Sequence, residues 1–294
     1  MQIGIDIGAT KARIGEIEEG KVIRAFEEKT EKGDIANQII KLINRFDLLK
    51  ADGIGIGIAG QIKNGVVISS PNIGIKNLNL YKILKENFNL PFIIENDSNC
   101  QTMGEYIYGA GKGRKNIIGI FIGTGIGGGI IIDGKLIKGS EIGHIVIDIN
   151  GAKCGCGRMG CFEALASGIA LKRYTKEAGF KDGSASFIAK EAKSGEKKAQ
   201  DIIRRLGVLI GIGTTNLINI LNPEAVILGG GVIEGLPELV DIVRQFVKKE
   251  ALFPCIIKKA ELGNDSGIIG SGFLAKNCLN LPINLNCKKF GFLL

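Results

Sequence analysis

The chain contains a single histidine, His144, which precedes three closely spaced cysteines in the pattern His144-x9-Cys154-x-Cys156-x4-Cys161. Three thiolates and one imidazole make a full tetrahedral Cys3His set, the donor composition of structural zinc. Gly151, Gly155, Gly157 and Gly160 supply the tight turns that a metal knuckle needs. Four protein ligands leave no open position, so such an ion would fix its loop and orient the imidazole rather than activate water. The second ring nitrogen then stays available for a hydroxyl. The competing reading is a core histidine beside unrelated thiols. Cys100, Cys255, Cys278 and Cys287 stand apart from the cluster and read as small buried hydrophobes.

Three glycine turns carry phosphate-binding chemistry. In Asp6-Ile7-Gly8-Ala9-Thr10-Lys11, Gly8 lets backbone approach a phosphate, Thr10 and Lys11 offer a hydroxyl and a cation, and Asp6 can hold magnesium directly or through water. Gly123-Thr124-Gly125-Ile126-Gly127-Gly128 presents several unobstructed N–H groups and a hydroxyl. Gly230 and Gly231 form a third turn, suited to the adenosine end of ATP. Each turn alone is an ordinary hairpin; three at strand ends favour a nucleotide. Gly123, Gly125 and Gly128 also fit G-x-G-x-x-G, but residues 129–132 continue as a strand where a dinucleotide fingerprint requires a helix. Leu136 stands where a P-loop needs Ser or Thr, so that match is accidental.

A fourth group is a carboxylate. The apolar run Phe92-Ile93-Ile94 leads into Glu95-Asn96-Asp97, and residues 98–108 read as a helix. A sugar hydroxyl hardly ionises near neutral pH, so its phosphorylation needs a positioned base, and Asp97 is the best placed in this part of the chain. The alternative role for Asp97 is a helix N-cap.

The elements that position these groups repeat. Residues 3–8 read IGIDIG and residues 118–123 read IGIFIG, each followed by a second strand and a Gly hairpin turn, Glu19-Gly20-Lys21 and Asp133-Gly134-Lys135. Helical patterns follow at 35–46 and 202–220, then buried strands at 54–58 and 225–228. The duplication predicts an α/β fold of two lobes across a cleft, residues 1–112 and 113–280, with residues 280–294 packing back on the first. The net charge of +8 is scattered through helices with no aromatic platform, which argues against nucleic acid as a partner. No apolar run approaches the roughly 20 residues of a membrane span, and a strand-like segment follows Met1 at once, so a cytoplasmic protein without a signal peptide is expected.

These residues together resemble the ROK family of sugar kinases, repressors and open-reading-frame proteins, within the hexokinase–actin superfamily. The most specific part is Glu141-Ile-Gly-His144 followed by Cys154-Gly-Cys156-Gly157-x-x-Gly160-Cys161-x-Glu163 and Ser167-Gly168. The phosphate turn at Asp6 and the Glu95-Asn96-Asp97 segment match in order and spacing, with Ala9 where a second Gly is usual. The resemblance implies a two-lobed actin-like (ribonuclease H-like) ATPase fold and an ATP- and Mg2+-dependent hexose kinase carrying structural Zn2+. Asp97 would be the general base, and Asn96 would hold neighbouring hydroxyls. Glu141, His144 and Glu163 would bind the other end of the ring, with Asn72 and the Gly60 loop shaping the sugar pocket. The substrate implied is glucose at its 6-hydroxyl; N-acetylmannosamine, N-acetylglucosamine and fructose are the alternatives. A homodimer or homotetramer is implied as well.

Two other classes compete. A sugar-responsive repressor of this family would carry a winged helix-turn-helix ahead of the first phosphate turn, and here that turn starts near Gly4. An ATP-hydrolysing activator with an iron–sulfur cluster would use clustered cysteines, but the His144 spacing favours zinc.

Overall fold

The computed structural model describes residues 1–279, and the segment 280–294 with its expected return to the first lobe lies outside them, as does Cys287. In chain order the first stretch forms β1 (Gln2–Ile7), β2 (Lys11–Glu18), β3 (Lys21–Lys29), α1 (Ile35–Ile43), β4 (Ile54–Ile58), β5 (Gln61–Lys63), β6 (Val66–Ser70), β7 (Ile75–Asn79), α2 (Leu80–Asn87), β8 (Phe92–Asn96) and α3 (Asp97–Tyr108). It continues through β9 (Ile117–Ile122), β10 (Ile126–Ile132), β11 (Lys135–Ile137), α4 (Phe162–Ala166), α5 (Gly168–Glu177), α6 (Ala185–Lys193) and α7 (Lys197–Leu221). The last elements are β12 (Ala225–Gly229), α8 (Gly231–Gly235), α9 (Leu239–Glu250), β13 (Ile256–Lys259) and α10 (Ser266–Leu279).

The duplication expected from the IGIDIG and IGIFIG runs is present in the sheets. One sheet runs β3-β2-β1-β4-β8 and the other β11-β10-β9-β12-β13, the same order of two hairpin strands, a central strand and two further strands. In the first, β1 is antiparallel to β2 and parallel to β4, which is parallel to β8. In the second, β12 lies parallel to both β9 and β13. A third, three-stranded sheet is formed by β5, β6 and β7. The chain divides into two compact units. One comprises Met1–Gly113, Gly129–Gly139 and the chain from Asn264; the other comprises Arg114–Gly128 and Ser140–Gly263. No helix among the described residues is long and apolar enough to cross a membrane.

The alternation Ile-Gly-Ile explains how the first unit packs. Successive strand residues face opposite sides of a sheet. Ile3, Ile5 and Ile7 of β1 and Ile54, Ile56 and Ile58 of β4 are fully buried, in one core with Ile35, Ile39 and Leu42 of α1 and Leu80 and Leu84 of α2. The opposite face carries Gly4 and Gly55, paired in register, and α10 lies directly on them. A Cβ on Gly4 would overlap the Ile268 carbonyl, and one on Gly55 would overlap that of Ser271. Gly104 of α3 meets the Ser266 carbonyl in the same way, and Gly270 meets that of Cys100. Backbone-to-backbone contact on this face leaves no flexible atom to yield. Gly55→Val should therefore destabilise the protein by ~2 kcal/mol or more, read as a fall of several degrees in Tm in a thermal melt.

Candidate functional site

In the first unit, β1, β4 and β8 end together, because Asp6, Gly57 and Glu95 occupy one cross-strand row and Ile7, Ile58 and Asn96 the next. The carboxyl ends of parallel strands are where open α/β sheets bind ligands. Asp6 lies near the end of β1 here, with its Oδ1 buried and without a hydrogen-bond partner among the described residues. Burial first, and then the nearby charge of Asp97, push its carboxyl up to about 7, against a smaller lowering by Arg13. Gly267, in the first turn of α10, has no room for a side chain because the Asp6 carboxylate lies against it. An orphaned carboxylate oxygen beside a second carboxylate fits a divalent cation, which would favour the ionised form of both.

The turn from Gly8 to Lys11 is closed by Gly8 N–H donating to the Lys11 carbonyl at 2.9 Å. Thr30, which carries no signal in the sequence, pins it from just beyond β3. Its Oγ1 donates to the Gly8 carbonyl at 2.8 Å, and its N–H to the Thr10 carbonyl at 3.1 Å. Thr10 and Lys11 are exposed, and Lys11 Nζ lies 2.6 Å from Glu27 Oε1, an ion pair that holds the Glu27 carboxyl below its usual range. Arg13, opposite Asp6 in register, pairs with Asp265 Oδ1 at 2.8 Å just ahead of α10.

Asn96, not Asp97, caps α3. Its Oδ1 accepts from Ser98 N–H at 3.0 Å and Asn99 N–H at 3.1 Å, and its Nδ2 donates to the Gly60 carbonyl at 3.1 Å. That geometry ties the Gly60 turn to β8 and places half-buried Asp97 at the first helical position, where its Oδ1 accepts from Ser98 N–H at 2.8 Å. Behind it, buried Glu95 Oε1 accepts from Asn96 N–H at 2.9 Å and Asn99 Nδ2 at 3.0 Å. Cys100 packs beneath, its thiol raised well above its usual value by burial and by Glu95, Asp6 and Asp97, so it behaves as the small hydrophobe expected. Asn72 lies exposed between β6 and β7.

In the second unit, the turns at Gly123 and Gly230 come together, since β9 and β12 are parallel and Phe121 stands opposite Gly229. Gly230 has φ +90°, and a Cβ there would fall 2.6 Å from the Ile122 backbone. Gly123 and Thr124 carbonyls accept from Gly168 N–H at 2.9 Å and Ile169 N–H at 3.2 Å. Thr124 and Gly231 are exposed, and Gly125 and Gly127 are half-buried.

The metal set assembles as its spacing suggests. Donor atoms of His144, Cys154, Cys156 and Cys161 all lie within 4.8 Å of one another. Cys154 Sγ is 3.6 Å from His144 Nδ1, and Cys156 Sγ is 3.6 Å from Cys161 Sγ. A tetrahedron with Zn–S of about 2.3 Å and Zn–N of about 2.0 Å has edges of roughly 3.5–3.8 Å, so these spacings fit. Hydrogen bonds from Arg158 hold the Cys156 thiol down to about 6, whereas burial and the neighbouring sulfurs push Cys161 up to about 12. A doubly charged ion among the four donors would hold all three as thiolates. Because Nδ1 faces the cluster, Nε2 is the nitrogen left for another partner. Glu141 is exposed immediately before the short 3-10 turn that carries His144.

Comparison with known proteins places nearly the whole chain in a family. The ROK family model matches residues 2–278. The chain belongs to the ROK family. A glucokinase of Halalkalibacterium halodurans is 32% identical over 93% of this chain and 94% of its own. The crystal structure of a ROK family glucokinase from Streptomyces griseus, in complex with glucose and AMPPNP, superposes with a TM-score of 0.83 at 32% identity, covering 94% of this chain and 99% of that one. A xylose repressor of Bacillus spizizenii is 37% identical over 76% of this chain and 58% of its own length. The ROK chain described here therefore has the actin-like ATPase fold and is an ATP-dependent sugar kinase. The metal geometry makes one expectation direct: the purified protein should carry about one divalent ion per chain by elemental analysis, and Cys161→Ser should lose most of it.

Proposed function

We propose that this kinase transfers the γ-phosphate of ATP to the 6-hydroxyl of glucose, with Asp97 as general base, magnesium at Asp6 and zinc in the Cys3His set. The observation that carries the reading is the placement of Asp97 at the first position of α3, on the same sheet edge as the Asp6 turn and beside the Asn96–Gly60 bond. Asp97 accepts the proton that the sugar hydroxyl loses as it attacks phosphorus. The capping bonds of Asn96 hold the helix start, and so the base, in place. The remaining Nδ2 hydrogen of Asn96 is available for a neighbouring hydroxyl, and Asn72 and the Gly60 turn, which Asn96 holds, contact the sugar as well. Glu141, Glu163 and His144, through Nε2, take the hydroxyls at the other end of the ring. Gly8, Ala9, Thr10 and Lys11 receive phosphate oxygens, as do the N–H groups of Gly123, Thr124, Gly125 and Gly127, while Gly230 and Gly231 adjoin the adenosine. Asp6 would hold the magnesium ion, which would supply neutralisation of phosphate charge. His144, Cys154, Cys156 and Cys161 would hold zinc, which would fix the His144 loop and supply no reacting group.

The relatives named as glucokinases, and the glucose bound in the Streptomyces griseus protein, support glucose as the substrate. A positioned base contributes about 10²–10⁴ in rate, or roughly 3–5 kcal/mol of barrier. Asp97→Asn should thus lower kcat with glucose at least ~10²-fold while calorimetric glucose affinity survives. Near-normal turnover in that variant would remove Asp97 from the mechanism.

A further inference from the structure

The second phosphate turn is held by the same segment that carries the metal ligands. Glu163 lies two residues after Cys161, at the start of α4, and is half-buried. Its Oε2 accepts from the N–H of Ile126, the first residue of β10, at 3.0 Å. Its other oxygen, Oε1, lies 3.8 Å from Cys154 Sγ. The Glu163 carboxylate also lies against the neighbouring Gly125, where a Cβ would force it to shift away. At the other end of the same residue, a Cβ on Gly143 would overlap the Ile126 carbonyl, so the turn bearing His144 also rests on Ile126. From Cys161, helix α4 leads on to Ser167, whose N–H donates to the Glu163 carbonyl at 3.3 Å, and then to the Gly168 and Ile169 amides that bond the Gly123 and Thr124 carbonyls.

We propose that Glu163 is a positioning residue for the nucleotide phosphates: its carboxylate, by holding the Ile126 amide, ties the turn at 123–126 to the metal-bearing loop. This goes beyond the sugar-contacting role given to Glu163 above, and it rests on the reading that this turn receives ATP. A phosphate site built from backbone N–H groups works only if those groups converge, and a glycine-rich turn has little side-chain packing to make them do so. The Glu163 bond supplies the missing constraint. It also makes one side chain common to the metal loop and the nucleotide turn, so the metal loop sets nucleotide affinity even with no sugar bound.

The test is titration calorimetry of Mg-AMPPNP, without sugar, on the full chain, Glu163→Ala and Glu163→Gln, with metal content measured on each. Losing the acceptor of a part-buried amide should weaken AMPPNP binding about tenfold in Glu163→Ala, with metal content unchanged because Glu163 is not a ligand. Glu163→Gln keeps an oxygen for the Ile126 amide and can turn its NH2 toward the Cys154 sulfur, so its AMPPNP affinity should stay near that of the unaltered protein. Equal affinity in all three proteins would overturn the proposal. So would a Glu163→Gln as weak as Glu163→Ala, or loss of metal from Glu163→Ala, since charge or loop collapse would then explain the effect. Failure of the unaltered protein to bind AMPPNP would instead overturn the nucleotide reading beneath it.

Discussion

The structure of the first unit depends on a stretch of sheet face where β1 and β4 present glycine to α10 in place of larger side chains. Gly4 and Gly55 allow α10 to rest its backbone on β1 and β4, while Gly104 and Gly270 let α3 and α10 touch each other just as closely. The contact is short range and unyielding, which makes it a positional constraint as well as a source of stability. It sets the first turn of α10 against Asp6 and brings Asp265 to Arg13, the strand partner of Asp6. The carboxylate expected to meet magnesium is therefore placed by packing, not by hydrogen bonds of its own, and its Oδ1 stays unpaired among the described residues. Burial of such a group is costly unless charge compensates it, which is the electrostatic demand that a cation answers.

The second unit meets a similar requirement, a glycine turn fixed at a strand end, by different means. Hydrogen bonds do most of the work there: Gly168 and Ile169 amides hold the carbonyls of Gly123 and Thr124, and the Glu163 carboxylate holds Ile126. Those partners belong to one continuous segment with Cys154 and Cys161, so the rigidity that a tetrahedral ion would give this loop would reach the turn directly. The sheets share their strand order, yet the glycine turn of one unit is held by Thr30 and that of the other by the segment that follows the His144, Cys154, Cys156 and Cys161 donor set.

Much of this was legible in the residues. The IGIDIG and IGIFIG runs and the repeated hairpins marked β1 and β9 as strands opening two α/β halves, but the common strand order of the two sheets emerged only from the structure. The metal set was legible because four ligating residues of the right kinds fall within one short stretch. Asp97 was legible as a carboxylate at a strand end, but the cap on α3 was not: Asn96 and Asp97 are both good capping residues, and only the backbone geometry selects Asn96. Thr30 and Gly267 were invisible for another reason. Each acts on the Asp6 turn from a different part of the chain, and no local pattern links residues 22 or 261 positions apart. The expectation of a boundary near residue 112 rested on a Gly- and Lys-rich stretch. Contacts divide the chain so that Gly129–Gly139 and the residues from Asn264 group with the first stretch, a grouping that long-range packing sets and local composition does not express.

The central claim is that these groups pass phosphate from ATP to a sugar. It is tested most directly by ADP release with Mg-ATP on glucose, mannose, fructose, N-acetylglucosamine and N-acetylmannosamine, with the product identified by NMR. The account predicts strong sugar-dependent ADP release with glucose, one glucose 6-phosphate for each ADP. ADP release that ignores the sugar, or none with any of the five from folded, metal-loaded protein, would contradict it.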